Sequence, residues 1–323
     1  MKVLILGATG HVGSRLVTHL NRQGYETIAA SRGRLNTNIP GRITLDSLNL
    51  EALTHYLKGV DAVVNCVAGD KHSIGKGADI LVQAAIVAGK PKIIHLSTMS
   101  VYGGHEGNIT ESHAFDPTYG WYAAAKCEAE TYMQKYAAAG GQVISFRPGC
   151  VHGPGSHLWV SRPANLLRTY RLGDLGDAGD GWSNLVHVDD VVRAIHVGLK
   201  ISKKAGEALF YNLAAPDSPR WNQYLFDLAN GIDATPIKRI SRLQLKLDSK
   251  ILSPAIKIAQ ILCRKARRDA SWLPEPLPPS LSRLFEQHIF LNAEKFSNEY
   301  DFTYMSYAQS LQESISWYND IKY

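Results

Sequence analysis

The sequence predicts an α/β fold: a doubly wound parallel sheet followed by a smaller, mostly helical C-terminal part. Three observations carry that expectation. Short apolar runs alternate with helical patterns through the first half of the 323-residue chain, as they do where strands and crossover helices follow one another. The first run, Val3-Leu4-Ile5-Leu6, has no polar interruption, the mark of a strand covered on both faces. After Gly155 the alternation becomes irregular, and from about Arg220 the chain reads as helices and loops.

Directly after the first run stand Gly7, Gly10 and Gly13, and then Val12, Leu16, Val17 and Leu20 at helical spacing. The glycines therefore sit where a strand turns into a helix. A helix N-terminus offers unpaired N–H groups and a partial positive charge, which suits a phosphate, and a side chain there would hold the phosphate away. Gly7, Thr9, Gly10, His11, Val12 and Gly13 are thus candidate dinucleotide-binding residues. Further strands are expected at Thr27–Ala30, Arg42–Leu45, Ala62–Val67, Lys92–Leu96 and Gln142–Phe146, with helices at Ala78–Ala88 and Ala123–Ala139 between them. Alternation returns at Leu185–Leu199 and Leu209–Leu213. Residues 1–160 are expected to form a nucleotide-binding domain, rejoined at about 185–215, and residues 161–323 a smaller substrate-binding domain.

A helix capped by Ser253 with Pro254 in its first turn should run towards Arg268. Its basic end, Arg264-Lys265-Ala266-Arg267-Arg268, reads as a solvated face in favourable contact with the helix dipole, rather than as a contact for an anionic substrate or a membrane surface. Pro274 to Pro279 reads as a stiff linker. A last helix at Tyr307–Asp320 puts Leu311, Ile315 and Tyr318 on one side.

A charged content of 20% and a net charge of +6 belong to an ordinary solvated surface, and no basic stripe interleaved with aromatics calls for nucleic acid. Cys66, Cys127, Cys150 and Cys263 are far apart and form no CxxC pair, so neither a metal site nor a disulfide framework is expected. Reduced thiols, a short apolar stretch at the N-terminus and no run of membrane-spanning length lead to the expectation of a cytoplasmic protein without membrane insertion.

The second strand ends in Ser31-Arg32-Gly33-Arg34, with no acid to meet a ribose 2′-hydroxyl. An arginine accepts a 2′-phosphate instead, so Arg32, helped by Ser31 and Arg34, favours NADP(H) over NAD. Asp46, at the next strand end, is placed either to meet the adenine amino group or as a plain turn aspartate. Tyr122 and Lys126 stand four apart on a helix, hence on one face. A free tyrosine has a pKa of about 10, and a neighbouring cation would favour its phenolate and bring it into working range for proton exchange. Thr98 in Leu96-Ser97-Thr98-Met99-Ser100 closes a buried strand at its carboxyl end, where a hydroxyl can orient a reacting oxygen beside Tyr122.

These motifs, in this order, resemble the extended short-chain dehydrogenase/reductase family, also called the NAD-dependent epimerase/dehydratase family, whose fold is Rossmann-type. The likeness rests on Gly7-Ala8-Thr9-Gly10-His11-Val12-Gly13, on Tyr122, Lys126 and Glu130, on Thr98 four before Tyr102, on Arg147 to Gly155, on Leu185 to Ile195 and on Tyr211 to Ala214. It implies Thr98, Tyr122 and Lys126 as the catalytic set. It also implies cofactor contacts at Tyr122 and Lys126, the latter on the ribose, and, mostly through the backbone, at Val67, Ala68, Gly69, Pro148 and Cys150, with a structural role for His187. Trp121 and His152 are expected to line the substrate pocket, and a homodimer through the two helices at 78–88 and 123–139 is common in the family.

Relatives that eliminate water usually follow the catalytic threonine with an acid, whereas this chain has Met99 and Ser100 there. The resulting expectation is an NADP(H)-dependent oxidoreductase that reduces a ketone or aldehyde, or oxidises a secondary alcohol, with Tyr122 as general acid/base. A nucleotide-sugar epimerase with retained cofactor is the alternative, for which Arg162, Arg168, Arg171 and Arg283 could bind a diphosphate. A non-catalytic NADP-binding regulator is the third reading.

Overall fold

The computed structural model describes residues 1–33, 41–202, 206–266, 268–270 and 272–321. The first half runs β1 (Lys2–Leu6), α1 (His11–Arg22), β2 (Glu26–Ser31), β3 (Arg42–Thr44), α2 (Leu50–Leu57), β4 (Ala62–Asn65), α3 (Lys71–Val87), β5 (Lys92–Leu96), β6 (Gly107–Ile109), α4 (Trp121–Ala138), β7 (Val143–Pro148) and β8 (Cys150–His152). The second half runs α5 (Arg162–Arg168), β9 (Leu185–His187), α6 (Val188–Lys200), β10 (Ala208–Leu213), α7 (Trp221–Gly231), α8 (Arg242–Leu247), α9 (Ser253–Lys265), α10 (Pro279–Glu286), β11 (Ile289–Leu291), α11 (Glu294–Tyr300) and α12 (Tyr307–Asp320).

Seven strands form one parallel sheet in the order β10-β7-β5-β4-β1-β2-β3. The order reverses between β1 and β4, so their carboxyl ends, Leu6 and Asn65, diverge into a crevice of the kind where ligands bind. Val3, Leu4, Ile5 and Leu6 are all buried because the sheet is covered on both sides. On one face Leu16 and Leu20 of α1 pack with Val191, Val192 and Ile195 of α6. On the other, Leu53 of α2, Leu81 and Ala85 of α3 and Met133 of α4 form a second core. Burying each such aliphatic side chain contributes about 1.5–3 kcal/mol before the entropy of ordering the chain is counted.

A third core lies beyond the carboxyl ends of the strands, where Leu166, Trp221, Tyr224, Leu228, Leu281 and Phe285 meet Met99, Val101 and Tyr102 from the turn after β5. Two short parallel pairs tie the late chain to the early chain. β8 pairs with β9, and His187 caps α6 by accepting the Asp189 N–H at 3.3 Å. β6 pairs with β11, Gly107 N–H donates to His288 O at 2.8 Å, and Gln287 donates to Gly103 O.

The helix expected to start at a Ser253 cap begins earlier. Ser241 caps it, in a reciprocal capping box with Gln244, and the chain stays helical through a wide turn at 248–252 into α9. Ser253 is itself helical, and its hydroxyl donates to Asp248 and accepts the Leu277 N–H at 2.6 Å. Of the expected basic end, Arg267 lies outside the described residues. Among the described residues no helix is long and apolar enough to cross a membrane.

Candidate active site

Gly7 turns the chain out of β1 with φ +74°, and a Cβ there would stand 2.8 Å from Cys66 O. A Cβ on Gly13 would stand 2.2 Å from Gly7 O, so the chain itself demands both glycines. Gly10 differs. Its φ of −77° suits any residue, and its Cβ would meet only Gly7 O at 3.4 Å. The fold does not ask for glycine there, which leaves the cleft as the reason. That cleft, about 250 Å³, is bordered by Gly7, Thr9, Gly10, Ser31, Arg32, Val67 and Ala68. No side chain caps α1, so its first-turn N–H groups have no side-chain partner just beyond Gly10 at the cleft. His11, Val12 and Gly13 offer only their backbone: the His11 ring bonds Pro154 O at 3.1 Å, Val12 enters the core and Gly13 packs on Gly7.

At the cleft mouth Arg32 is exposed and reaches across to donate to Ser73 Oγ on α3 at 3.3 Å. Ser31 is buried and donates to Gly33 O at 3.2 Å. Arg34 lies outside the described residues. Asp46 is exposed and its Oδ1 accepts the Leu48 N–H at 3.0 Å, the geometry of a turn aspartate, while its neighbours Leu45 and Ser47 border the cleft.

Thr98 stands two residues beyond β5 in extended conformation, its hydroxyl accepting the Ser100 N–H at 3.2 Å. Gly120, with φ +117°, a conformation that favours glycine, stands at the start of α4. Tyr122 is half-buried on the first turn of that helix, near enough to the Thr98 hydroxyl for that group to act on its phenol. Burial pushes the Tyr122 phenol up, and the Thr98 hydroxyl opposes this. This is the reverse of the direction expected from a lysine neighbour. Lys126, four residues on, is fully inside, donates to Leu96 O at 2.8 Å, and is pushed down to about 8 by burial.

Beneath this group Glu130 takes a two-pronged ion pair from Arg147 at 2.6 Å, with both side chains buried. Ser97 donates to the same carboxylate, and Arg147 also donates to Tyr102 Oη at 2.9 Å. Tyr102 in turn donates to Asn212 at 2.7 Å. α4, β5, β7 and β10 are thereby locked together one layer below Thr98.

Ala68 also borders a second cavity, about 560 Å³, that opens beside Tyr122. Met99, Trp121, Leu158, Trp159, Leu281 and Leu284 give it apolar walls; among the described residues no Asp or Glu lines it, and Arg283 is its one cation. Gly69 and Trp121 stand in this wall as expected from the sequence, but His152 does not. His152 is buried between α12 and β9, bonded to Ser310 Oγ at 3.0 Å and edge-on to His187. Pro148 and Cys150 border neither space. Pro148 has no N–H to offer and is buried at the end of β7; the Cys150 N–H is spent on Asn184 O, and its thiol lies in the third core. Leu158, Trp159, Leu281, Leu284 and Gln287 were missed as wall-formers because no local pattern links them to Tyr122.

Three of the four arginines considered for a diphosphate are engaged elsewhere. Arg162 pairs with Glu275 at 3.6 Å, Arg168 donates to Ile232 O at 2.7 Å, and Arg171 pairs with Asp248 at 2.6 Å.

A family model described as the NAD dependent epimerase/dehydratase family matches residues 3–214. The chain is 27% identical over 237 residues to 2-alkyl-3-oxoalkanoate reductase of Stenotrophomonas maltophilia, covering 67% of this chain and 72% of that one. It is equally 27% identical to N-acetyl-alpha-D-glucosaminyl-diphospho-ditrans,octacis-undecaprenol 4-epimerase of Escherichia coli O157:H7, over 67% and 68% of the two chains. Among solved structures, UDP-glucose 4-epimerase from Thermotoga maritima superposes over the whole of both chains with a TM-score of 0.75 at 18% identity, a likeness of fold.

Proposed function

The chain belongs to the NAD dependent epimerase/dehydratase family, and from that premise we propose that it is an NADP(H)-dependent reductase or dehydrogenase acting on an apolar ketone or secondary alcohol. Its relatives include reductases, epimerases and dehydratases, and it is an enzyme of this kind. The observation that carries the substrate class is Tyr122, with Thr98 acting on its phenol, in the wall of an apolar cavity whose lining, among the described residues, holds one cation and no carboxylate.

The cradle at Gly10 and the uncapped start of α1 fit a dinucleotide pyrophosphate, and Arg32 with Ser73 fits a 2′-phosphate at the cleft mouth. When bound, the nicotinamide supplies a hydride to the carbonyl carbon in reduction and accepts one in oxidation. Tyr122 gives its phenolic proton to the carbonyl oxygen in the reductive direction and takes it back in the other. Its raised pKa keeps that proton in place at neutrality, as an acid requires. Thr98 holds the reacting oxygen beside the phenol. Lys126, one helical turn behind and fixed to Leu96 O, supports the phenolate that forms. The walls exclude water from the reacting oxygen.

Tyr122→Phe should lower turnover roughly 10²–10⁴-fold, the usual worth of a positioned acid, while NADPH affinity by calorimetry stays within twofold. Unchanged turnover would sink the assignment. Arg32→Ser should weaken NADPH and spare NADH. A second reading, nucleotide-sugar epimerase, is favoured by the 4-epimerase relative. It requires product interconversion with no net consumption of NADPH, which the same absorbance assay distinguishes.

A further inference from the structure

We propose that the helix from Ser241 to Ala266 docks the protein on an anionic lipid bilayer. Its inner side is already satisfied: Leu245, Ser249, Ser253 and Ile256 are buried, and Arg171 clamps Asp248 at 2.6 Å. Its outer side carries Leu243, Leu247, Ile251, Ile258 and Leu262 at steps of four, four, seven and four residues, which is one stripe of a helix. These are exposed by 66% at Leu243, 64% at Ile251, 59% at Ile258 and 60% at Leu262, in contrast to the core-facing leucines of the other helices. A contiguous exposed apolar stripe of this length marks an interaction surface.

The charge around the stripe selects the partner. Residues 241–272 hold eight Lys or Arg against two Asp, equal to the +6 net charge of the whole chain. Among the described residues, Lys246, Lys250, Lys257, Arg264 and Lys265 have no ion pair with a carboxylate. An apolar stripe flanked by unpaired cations is the pattern of a helix lying in the plane of an anionic membrane. A second copy of the same face would oppose like charge to like charge. Trp272, 73% exposed just past the helix, adds the amphipathic ring suited to the headgroup level. On its inner side the helix meets α10 across a groove that Lys246, Lys250 and Arg283 border, and Arg283 also lines the apolar cavity. The docking does not depend on the reaction proposed above.

The test is co-sedimentation of the full chain with vesicles of phosphatidylcholine alone or with one third phosphatidylglycerol, alongside light scattering and NADPH titration. Binding is expected to the anionic vesicles, to weaken with salt, and to shift Trp272 fluorescence to the blue. The triple variant Lys246→Gln, Lys250→Gln, Lys257→Gln should lose roughly a hundredfold in partition, and Leu243→Ser with Ile258→Ser and Leu262→Ser should lose as much, both with NADPH affinity intact. Three results would overturn the proposal: no sedimentation, equal sedimentation with both vesicle types, or a dimer that the serine variant disperses. Equal affinity for soluble polyglutamate would overturn it as well, by making the face a site for acidic protein.

Discussion

Two glycines three residues apart should respond to the same substitution in opposite ways. In Gly13→Ala the new methyl would stand 2.2 Å from the Gly7 carbonyl oxygen, over an ångström inside ordinary contact, and neither atom belongs to a flexible side chain. α1 must move off the sheet, and the expected loss is about 3 kcal/mol, the upper end for overpacking a close contact. In Gly10→Ala the methyl stands at 3.4 Å with an allowed φ. A poorer helix cap and a less flexible unfolded chain offset each other, leaving stability within about 1 kcal/mol of the parent. The same methyl, however, occupies the space in front of the α1 N-terminus. Losing one charged hydrogen bond there is worth about 1.5–3 kcal/mol, or roughly 10- to 100-fold in affinity. Urea unfolding and calorimetric titration with NADPH read the two effects separately. Parental NADPH affinity in Gly10→Ala, or a stability loss there equal to that of Gly13→Ala, would refute the placement of the pyrophosphate.

Three further outcomes follow from the buried groups. Glu130→Gln leaves the Arg147 guanidinium inside the protein without its counter-charge, and urea unfolding should show a loss of about 3–5 kcal/mol; a loss under 1 kcal/mol would mean that water reaches the pair. For reduction, kcat/KM should be level near neutrality and fall above about pH 8, where the buried Lys126 gives up its charge, and Lys126→Met should flatten that limb. Stability should decline as pH falls below 6.5, because His152, held at about 3, and His95, held well below its ordinary value, stay neutral in the folded chain while their unfolded forms take up protons. Each such group costs about 1.4 kcal/mol per pH unit in that window. An unfolding midpoint that is level between pH 7 and 5 would contradict their burial.

The sheet and the placement of Thr98, Tyr122 and Lys126 were readable because each rests on local spacing. A buried parallel strand is an apolar run, a strand-to-helix turn announces itself by glycine, and a four-residue step puts two side chains on one face of a helix. The limits of that reading appear where partners are distant in sequence. Trp121 and His152 were assigned to the same pocket, yet His152 is claimed by Ser310, whose role no pattern near residue 152 reveals. Arg162 and Arg171 looked free until Glu275 and Asp248 arrived from about a hundred residues downstream. Ser253 followed by Pro254 has the local signature of a helix start, but the capping box at Ser241 had already begun the helix. The phenol of Tyr122 shows a subtler failure. Counting residues found its lysine neighbour, but the direction of its pKa depends on how much of the ring the fold encloses.

The pairing of β6 with β11 has a consequence for how the chain is made. β10 completes the sheet at Leu213, so a nascent polypeptide can assemble all seven of its strands with more than a hundred residues still to come. The loop that leaves Thr98 must wait. Gly103 is held by Gln287, 184 residues further on, and Ile109 O receives its N–H from Asn292. Closing so wide a loop is entropically costly, and such contacts form late. During synthesis the ribosome therefore carries a chain whose sheet is built while the segment after Thr98 is still unpinned, and that segment settles only once residues 287–292 have been made.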